Sequence, residues 1–200
     1  MFIKATVSGD FWKTEFHLVQ PTPQWGRVVN STNAIFPMNQ WVHIAFEKDG
    51  SDMNTYYNGD QLTTTSSTEG SGSSDPADYA LNNDGALVVG QNNLGAMPTS
   101  GCFPGKLAGL RMRIGEGFGG NFNPEWPIPN DHTTVVNLHF TDGAGEVLAD
   151  RSFYHHTGFV APGGIWTNDC PIIDDDNDDI SLWEDNCPQV ANADQADVDN

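Results

Sequence analysis

The chain has 200 residues, 38% of them apolar and 10% aromatic, enough to bury the core of one sandwich-sized domain or two small ones. Eight Lys and Arg stand against 27 Asp and Glu, a formal net charge of −19, so a nucleic-acid backbone and an anionic membrane surface would both repel it and neither is expected as a partner. No stretch approaches the roughly 20 consecutive apolar residues of a membrane span, and the N-terminal MFIKATVSGDFWK lacks the basic start and apolar run of a secretory signal, so no membrane insertion is expected.

Taken in chain order, Phe2, Lys4 and Thr6 alternate with Ile3, Ala5 and Val7. Trp12, Thr14, Phe16 and Leu18 then occupy every second position against Lys13, Glu15 and His17, the period of a strand with one wet face. Trp41 to Phe46 (WVHIAF) is the strongest strand. The turn Glu47-Lys48-Asp49-Gly50 follows, then a second strand from Met53 to Tyr57 closed by Asn58-Gly59-Asp60, which together predict a hairpin. Residues 63–78, TTTSSTEGSGSSDPAD, hold nothing worth burying and predict a mobile surface loop. Ala86 to Gly90 predicts a short buried strand, Phe103 to Ile114 a long one, and Thr133 to Phe140 another before the turn Asp142-Gly143. Short strands at this spacing, with hardly any 3.6-residue period, give an all-β, two-sheet antiparallel sandwich.

The charge is unevenly spread. Residues 169–200 carry eleven acids and no Lys or Arg, leaving 16 acids against 8 bases in residues 1–168. Two of the three cysteines, Cys170 and Cys187, lie in that acidic stretch and Cys102 stands in the body. The expected organisation is therefore a sandwich over 1–168 and an irregular tail over 169–200.

The body resembles the laminin-G-like, concanavalin A-like jelly rolls of extracellular proteins. The residues that carry the resemblance are Trp41, His43, Ala45, Asp49, Gly50, Tyr57, Asn58 and Gly59, then Leu87 to Gly90, then Phe103, Gly105, Leu107, Leu110 and Arg111. Val135 to Phe140 with Asp142, Gly143, Gly145, Asp150 and Trp166 match the closing strand and the segment after it. Such modules usually begin with one or two strands before the point that corresponds to Met1, so the resemblance implies an N-terminally truncated sandwich from a longer, multidomain parent chain. It implies recognition of a glycan or an extracellular protein without identifying the ligand.

In the tail, Asp174, Asp176 and Asp178 sit at alternate positions, and Asp185 is the twelfth residue of a loop starting at Asp174. Calcium takes six to eight oxygen ligands, and carboxylates at 1, 3, 5 and 12 with the Ile180 carbonyl at 7 meet that need. Asp179 stands where the sharp turn normally has glycine. The segment also resembles a thrombospondin type 3 repeat through Asp174, Asp176, Asp178, Asp185, Asn186, Cys187, Pro188, Asn192, Gln195, Asp197 and Asp199, a repeat that is incomplete where the sequence stops at Asn200. That resemblance implies Ca2+ held by Asp174, Asp176, Asp178, Ile180, Asp185, Asn192, Asp197 and Asp199, a disulfide between Cys170 and Cys187, and an extracellular or cell-surface setting where such a bond persists. Eleven acids without a cation would otherwise repel into a disordered chain, so metal binding and folding of the tail are expected to be one event.

Other features point to less. Cys102, between Gly101 and Phe103, reads as a buried thiol or the partner of a cysteine outside this chain rather than a nucleophile. His155-His156 and the scattered His17, His43, His132 and His139 lack the short paired spacing of a zinc site. Gly115 to Gly120 spells G-x-G-x-x-G, yet Asn121-Phe122-Asn123-Pro124 follows where a phosphate-binding helix would start, so it reads as a loop. Asn30-Ser31-Thr32 is a glycosylation sequon. Trp41 is expected in the core, whereas Trp25 and Trp126, flanked by Pro and Gly, are candidates for stacking on a sugar ring. A jelly-roll glycoside hydrolase would need paired carboxylates on one strand face, as in Glu-x-Asp-x-Glu. That triplet does not occur, and Glu15 and Glu47 are the chief strand acids of the body, so a non-enzymatic module is expected, with hydrolase or purely structural spacer as the alternatives.

Overall fold

The computed structural model describes residues 2–8, 11–20, 26–32, 36–79, 89, 105–115, 117–140, 142–160 and 164–167. Among these, the structure is antiparallel β throughout, with a single 3-10 turn at Pro76–Asp78. The chain divides into two units, one formed by Met1–Lys106 with Gly115–Pro124, the other by Leu107–Ile114 with Glu125–Asn200.

The first unit contains two sheets. In the larger, β1 (Phe2–Ser8), β2 (Phe11–Gln20) and β3 (Gly26–Thr32) pair in sequence and β4 (Phe36–Pro37) adds to β2. The smaller sheet is the hairpin of β5 (Ile44–Asp49) and β6 (Asp52–Tyr57), extended by β7 (Asp60–Gln61). β8 (Thr64–Gly70) returns to the larger sheet and pairs with β3 over its whole length. The strand alternation predicted for residues 12–18 is present, with Thr14, Phe16 and Leu18 buried and Glu15 half-exposed. Phe16, Leu18 and Val28 from the larger sheet meet Met53, Tyr79 and Phe46, and the Phe16 and Phe46 rings lie 5.4 Å apart, so this cluster is the apolar filling of a two-sheet sandwich.

Four local expectations fail. The polar run 63–78 is β8 followed by the Pro76–Asp78 turn, because a serine- and threonine-rich segment gains backbone hydrogen bonds at a sheet edge without burying side chains. The turn is capped by the Asp75 carboxylate, which accepts from Ala77 N at 2.9 Å, and it delivers Tyr79 to the core. The hairpin turn falls after Asp49, two residues later than its charged residues suggested, and Glu47 and Lys48 are in β5. Trp41 precedes the first residue of β5 and is 36% exposed, not a core residue. Of the strand predicted at 86–90 only Val89 is described, exposed and outside any strand.

The second unit holds two hairpin-like pairs. β9 (Leu110–Arg113), the remnant of the strand expected from Phe103 to Ile114, pairs with β10 (Thr134–Leu138), and β11 (Val147–Ala149) pairs with β12 (Thr157–Phe159). Leu107 and Ile114 fall outside β9 and are exposed. Gly109 lies where a Cβ would come within 2.5 Å of Ile128 Cδ1 and 2.9 Å of the Trp126 ring, so its lack of a side chain lets those two residues pack across it.

Asp150 fixes the segment between β11 and β12. Its carboxylate accepts from Asn137 N at 2.8 Å, Ser152 N at 2.9 Å, Ser152 Oγ at 2.7 Å and His156 N at 2.9 Å. Burial alone would raise the Asp150 pKa, but the amides of Asn137, Ser152 and His156 and the Ser152 hydroxyl outweigh it and hold the group below its ordinary value. A carboxylate depressed in this way contributes stability that is complete above its unfolded pKa, near 3.9, and is lost as the pH falls through that range toward the folded value. Asp150→Asn is therefore expected to destabilise the second unit by about 2–4 kcal/mol at neutral pH and to flatten its loss of stability in acid. Amide exchange of β10 residues read between pH 3 and 7 checks this, and an unchanged acid profile would count against the assignment.

Candidate functional site

The smaller sheet of the first unit has a second face that the core does not use. Register places Glu47 opposite Asn54, Ala45 opposite Tyr56, Asp49 opposite Asp52, and Gln61 beside Tyr56, so these side chains rise on the face away from Phe46, Met53 and Thr55. Tyr56 is nevertheless fully buried there, at 1% exposure. The cover is the glycine-rich segment from Gly117 to Phe122. The rings of Phe118 and Phe122 stack on each other at 3.9 Å and meet Tyr56 edge-on at 5.1 and 5.4 Å.

Polar bonds fasten this cover at both ends. Glu47 Oε1 accepts from Phe118 N at 2.6 Å, and Glu47 Oε2 accepts from Tyr56 OH at 2.7 Å and Asn54 Nδ2 at 3.0 Å. At the other end Asn121 Oδ1 accepts from Gln61 N at 2.9 Å, Asn121 Nδ2 donates to Asp60 Oδ1 at 3.0 Å, and Phe122 N donates to Gly59 O at 3.0 Å. Gln61 Nε2 donates to Asn54 Oδ1 at 3.0 Å, which closes a chain of bonds running Gln61, Asn54, Glu47, Tyr56. Burial, with the Glu47 carboxylate bonded beside it, pushes the Tyr56 phenol well above its ordinary pKa and keeps it a neutral donor.

Two glycines make the approach possible. A Cβ on Gly117 would stand 1.9 Å from Glu47 Oε1, and one on Gly59, whose φ is +87°, would stand 1.8 Å from Phe122 O. Asn58, also at positive φ, accepts from His43 N through Oδ1 at 2.8 Å and returns its own N–H to His43 O at 2.8 Å. The His43 and Asn58-Gly59 signature read in the sequence thus sets the end of the hairpin on which Phe122 rests, and the His43 and Phe122 rings meet edge-on at 5.6 Å.

Beside this cover the face opens into a cleft of about 530 Å³ whose floor includes Glu47, Asn54 and Gln61, whose rim carries Asp49 and Asp52, and whose far wall is the Gly117, Gly119 and Gly120 backbone. Carboxylates, amides, the Tyr56 side chain and peptide groups line it and, among the described residues, no basic side chain does, so its chemistry suits a ligand that presents several hydrogen-bond donors, such as a run of hydroxyls. In the sequence Glu47 reads as the first residue of a turn or as one of the chief strand acids, and Gly115 to Gly120 as a loop. The pairing of aromatics at 118 and 122 with glycines was the signal available.

Trp126 is half-buried in the second unit, its ring 6.2 Å from His139 and packed across Gly109. Trp25, Cys102, Cys170, Cys187 and the expected calcium ligands Asp174, Asp176, Asp178, Ile180, Asp185, Asn192, Asp197 and Asp199 lie outside the described residues. Among the described residues no group of three or more metal-ligating side chains is gathered, and no helix is long and apolar enough to cross a membrane.

A laminin G-type family model, described as the concanavalin A-like lectin/glucanases superfamily, matches residues 3–112. No curated protein and no solved structure matches the chain. The matched stretch spans β1 to β8 and most of β9, includes the hairpin that carries the cleft, and is more than half of the 200 residues. Sheet architecture, hairpin signature and family match agree, and the chain belongs to the concanavalin A-like lectin/glucanases superfamily.

Proposed function

We propose that this chain is a non-enzymatic extracellular recognition module, that its β5–β6–β7 cleft binds a glycan or a similarly hydroxyl-rich surface of an extracellular protein, and that residues 169–200 form a calcium-stiffened spacer. The observation that carries the reading is the cleft: a polar face on a hairpin that lies in the family-matched segment, walled by the glycine-rich segment that follows it. The Asp49 and Asp52 carboxylates and the Gln61 side-chain oxygen, which border the cleft, are the acceptors that adjacent hydroxyls require.

Catalysis is the rival reading, because Glu47 and Asp49 rise two residues apart on one strand face and both border the cleft. The partners of Glu47 argue against it. Both of its oxygens already accept from Phe118 N, Tyr56 OH and Asn54 Nδ2, which stabilises the anion and occupies the lone pairs that an attacking or proton-donating carboxyl must keep available. Asp52→Ala with Gln61→Ala is expected to lower glycan-array binding by about tenfold or more while the fold persists. Release of reducing ends from β-glucans that disappears in Glu47→Gln would replace recognition with hydrolysis.

The donor set of residues 174–199 supplies carboxylates and a carbonyl at calcium spacing, and Ca2+ would neutralise the ten acids of that stretch. Affinity is expected near the 10⁻⁴ to 10⁻³ M typical of roughly comparable extracellular modules. Adding EDTA to oxidised protein is expected to expose residues 170–200 to protease and leave β1 to β8 resistant. A tail that is cut equally fast with and without calcium contradicts the spacer.

A further inference from the structure

The β11–β12 hairpin of the second unit has an edge that no described strand occupies, and its direction follows from the hydrogen bonds. Val160 N donates to Glu146 O at 2.8 Å, and the register pairs Val147 with Phe159, Leu148 with Gly158 and Ala149 with Thr157. Antiparallel pairs alternate between those that exchange hydrogen bonds and those whose N–H and C=O turn away from the partner. The bond at Val160 makes Glu146–Val160 and Leu148–Gly158 the bonded pairs. Thr157 and Phe159 therefore aim their N–H and C=O groups away from β11, toward a side where no described strand lies.

The surface beside that edge is apolar and held still. Val147 and Phe159 are cross-strand neighbours on one face and are 57% and 70% exposed, while Leu148 and Gly158 face the other way and are half-buried. Phe153 and Tyr154, at 69% and 61% exposure, project from the segment that the Asp150 carboxylate pins, and the Tyr154 ring lies parallel to that of His156 at 5.9 Å. Exposed aromatics on a fixed backbone lose little conformational freedom on binding. The run from Arg151 to Val160 contains Arg151, His155 and His156, and the one acid beside it, Asp150, is buried with its oxygens taken by Asn137, Ser152 and His156, whereas Glu146 stands exposed at the opposite end of the hairpin.

We propose that this edge of β12 takes an extended segment of a partner protein as an added antiparallel strand, the segment carrying apolar side chains at alternate positions and a carboxylate where it meets His155 and His156. Main-chain bonds to Thr157 and Phe159 supply the pairing, the Val147–Phe159 shelf receives alternate side chains, and the basic end of the hairpin sets the direction. A second copy of this chain is the weaker occupant, since each copy brings a net charge of −19. This site is independent of the cleft in the first unit.

The test uses the full chain and an end-blocked hexapeptide of alternating valine and threonine that finishes in two aspartates. Amide exchange at Thr157 and Phe159 is expected to slow by about tenfold or more at saturating peptide, while Gly158 and Val160, already bonded to β11, do not change. The same peptide N-methylated at every residue, which blocks both of its edges, is expected to give no protection, and Phe159→Asp to weaken binding by about tenfold with Gly158 still protected. Thr157 and Phe159 amides that ignore the peptide, or that respond equally to the N-methylated form, overturn the proposal. So does their protection in a concentration-dependent dimer without peptide.

Discussion

A carboxylate in the middle of a strand governs how the first unit presents its surface. Glu47 spends both oxygens on neighbours: Asn54 directly across the hairpin, Tyr56 on the diagonal, and the amide of Phe118, 71 residues away in sequence. A half-buried charge is tolerable only when its lone pairs are occupied, and the donors that occupy them draw the glycine-rich segment down onto the sheet. The aromatic stack of Phe118 and Phe122 then buries Tyr56, and the polar ground left uncovered beside it is the cleft.

This arrangement gives the β5–β6–β7 sheet two kinds of cover. Phe46 and Met53 belong to the sandwich core on one face, where burial of apolar surface does the stabilising. On the other face a few charge-assisted hydrogen bonds and one aromatic cluster hold a segment in which space requires Gly117, as it requires Gly59 at the end of the hairpin beneath. In the second unit Asp150 plays a comparable part, organising amides instead of a core and leaving Phe153, Tyr154 and Phe159 facing solvent. Both units thus rely on a carboxylate that collects hydrogen-bond donors to shape a surface.

What a single sequence reveals depends on whether side chains or backbone carry the structure. The alternation of Thr14, Phe16 and Leu18 was legible because burial sets a two-residue period, and the Trp41 to Gly59 signature led to the hairpin and the family. β8 was illegible because its serines and threonines bury nothing and its pairing with β3 is made by peptide groups common to all residues. The hairpin turn was misplaced for a related reason: Glu47, Lys48 and Asp49 look like turn residues until the partners of Glu47 are known. Those partners lie beyond any local window, so the cleft could not be assembled from spacing alone, although the aromatics set among glycines at Gly117 to Phe122 marked the segment. The acidic stretch from Asp174 to Asp199 is the reverse case, its ligand spacing readable in sequence while its residues fall outside the described structure.

The account turns on Glu47 as the fastening between hairpin and cover, and amide exchange of the full chain carrying Glu47→Ala measures that fastening directly. The predicted result is that Phe118 N and Phe122 N exchange at least about tenfold faster, the equivalent of about 1.4 kcal/mol or more, while Leu18 and Val28 in the core keep their protection. Protection at Phe118 and Phe122 equal to that of the unaltered chain would show that the cover stays down without the carboxylate, and would contradict the account.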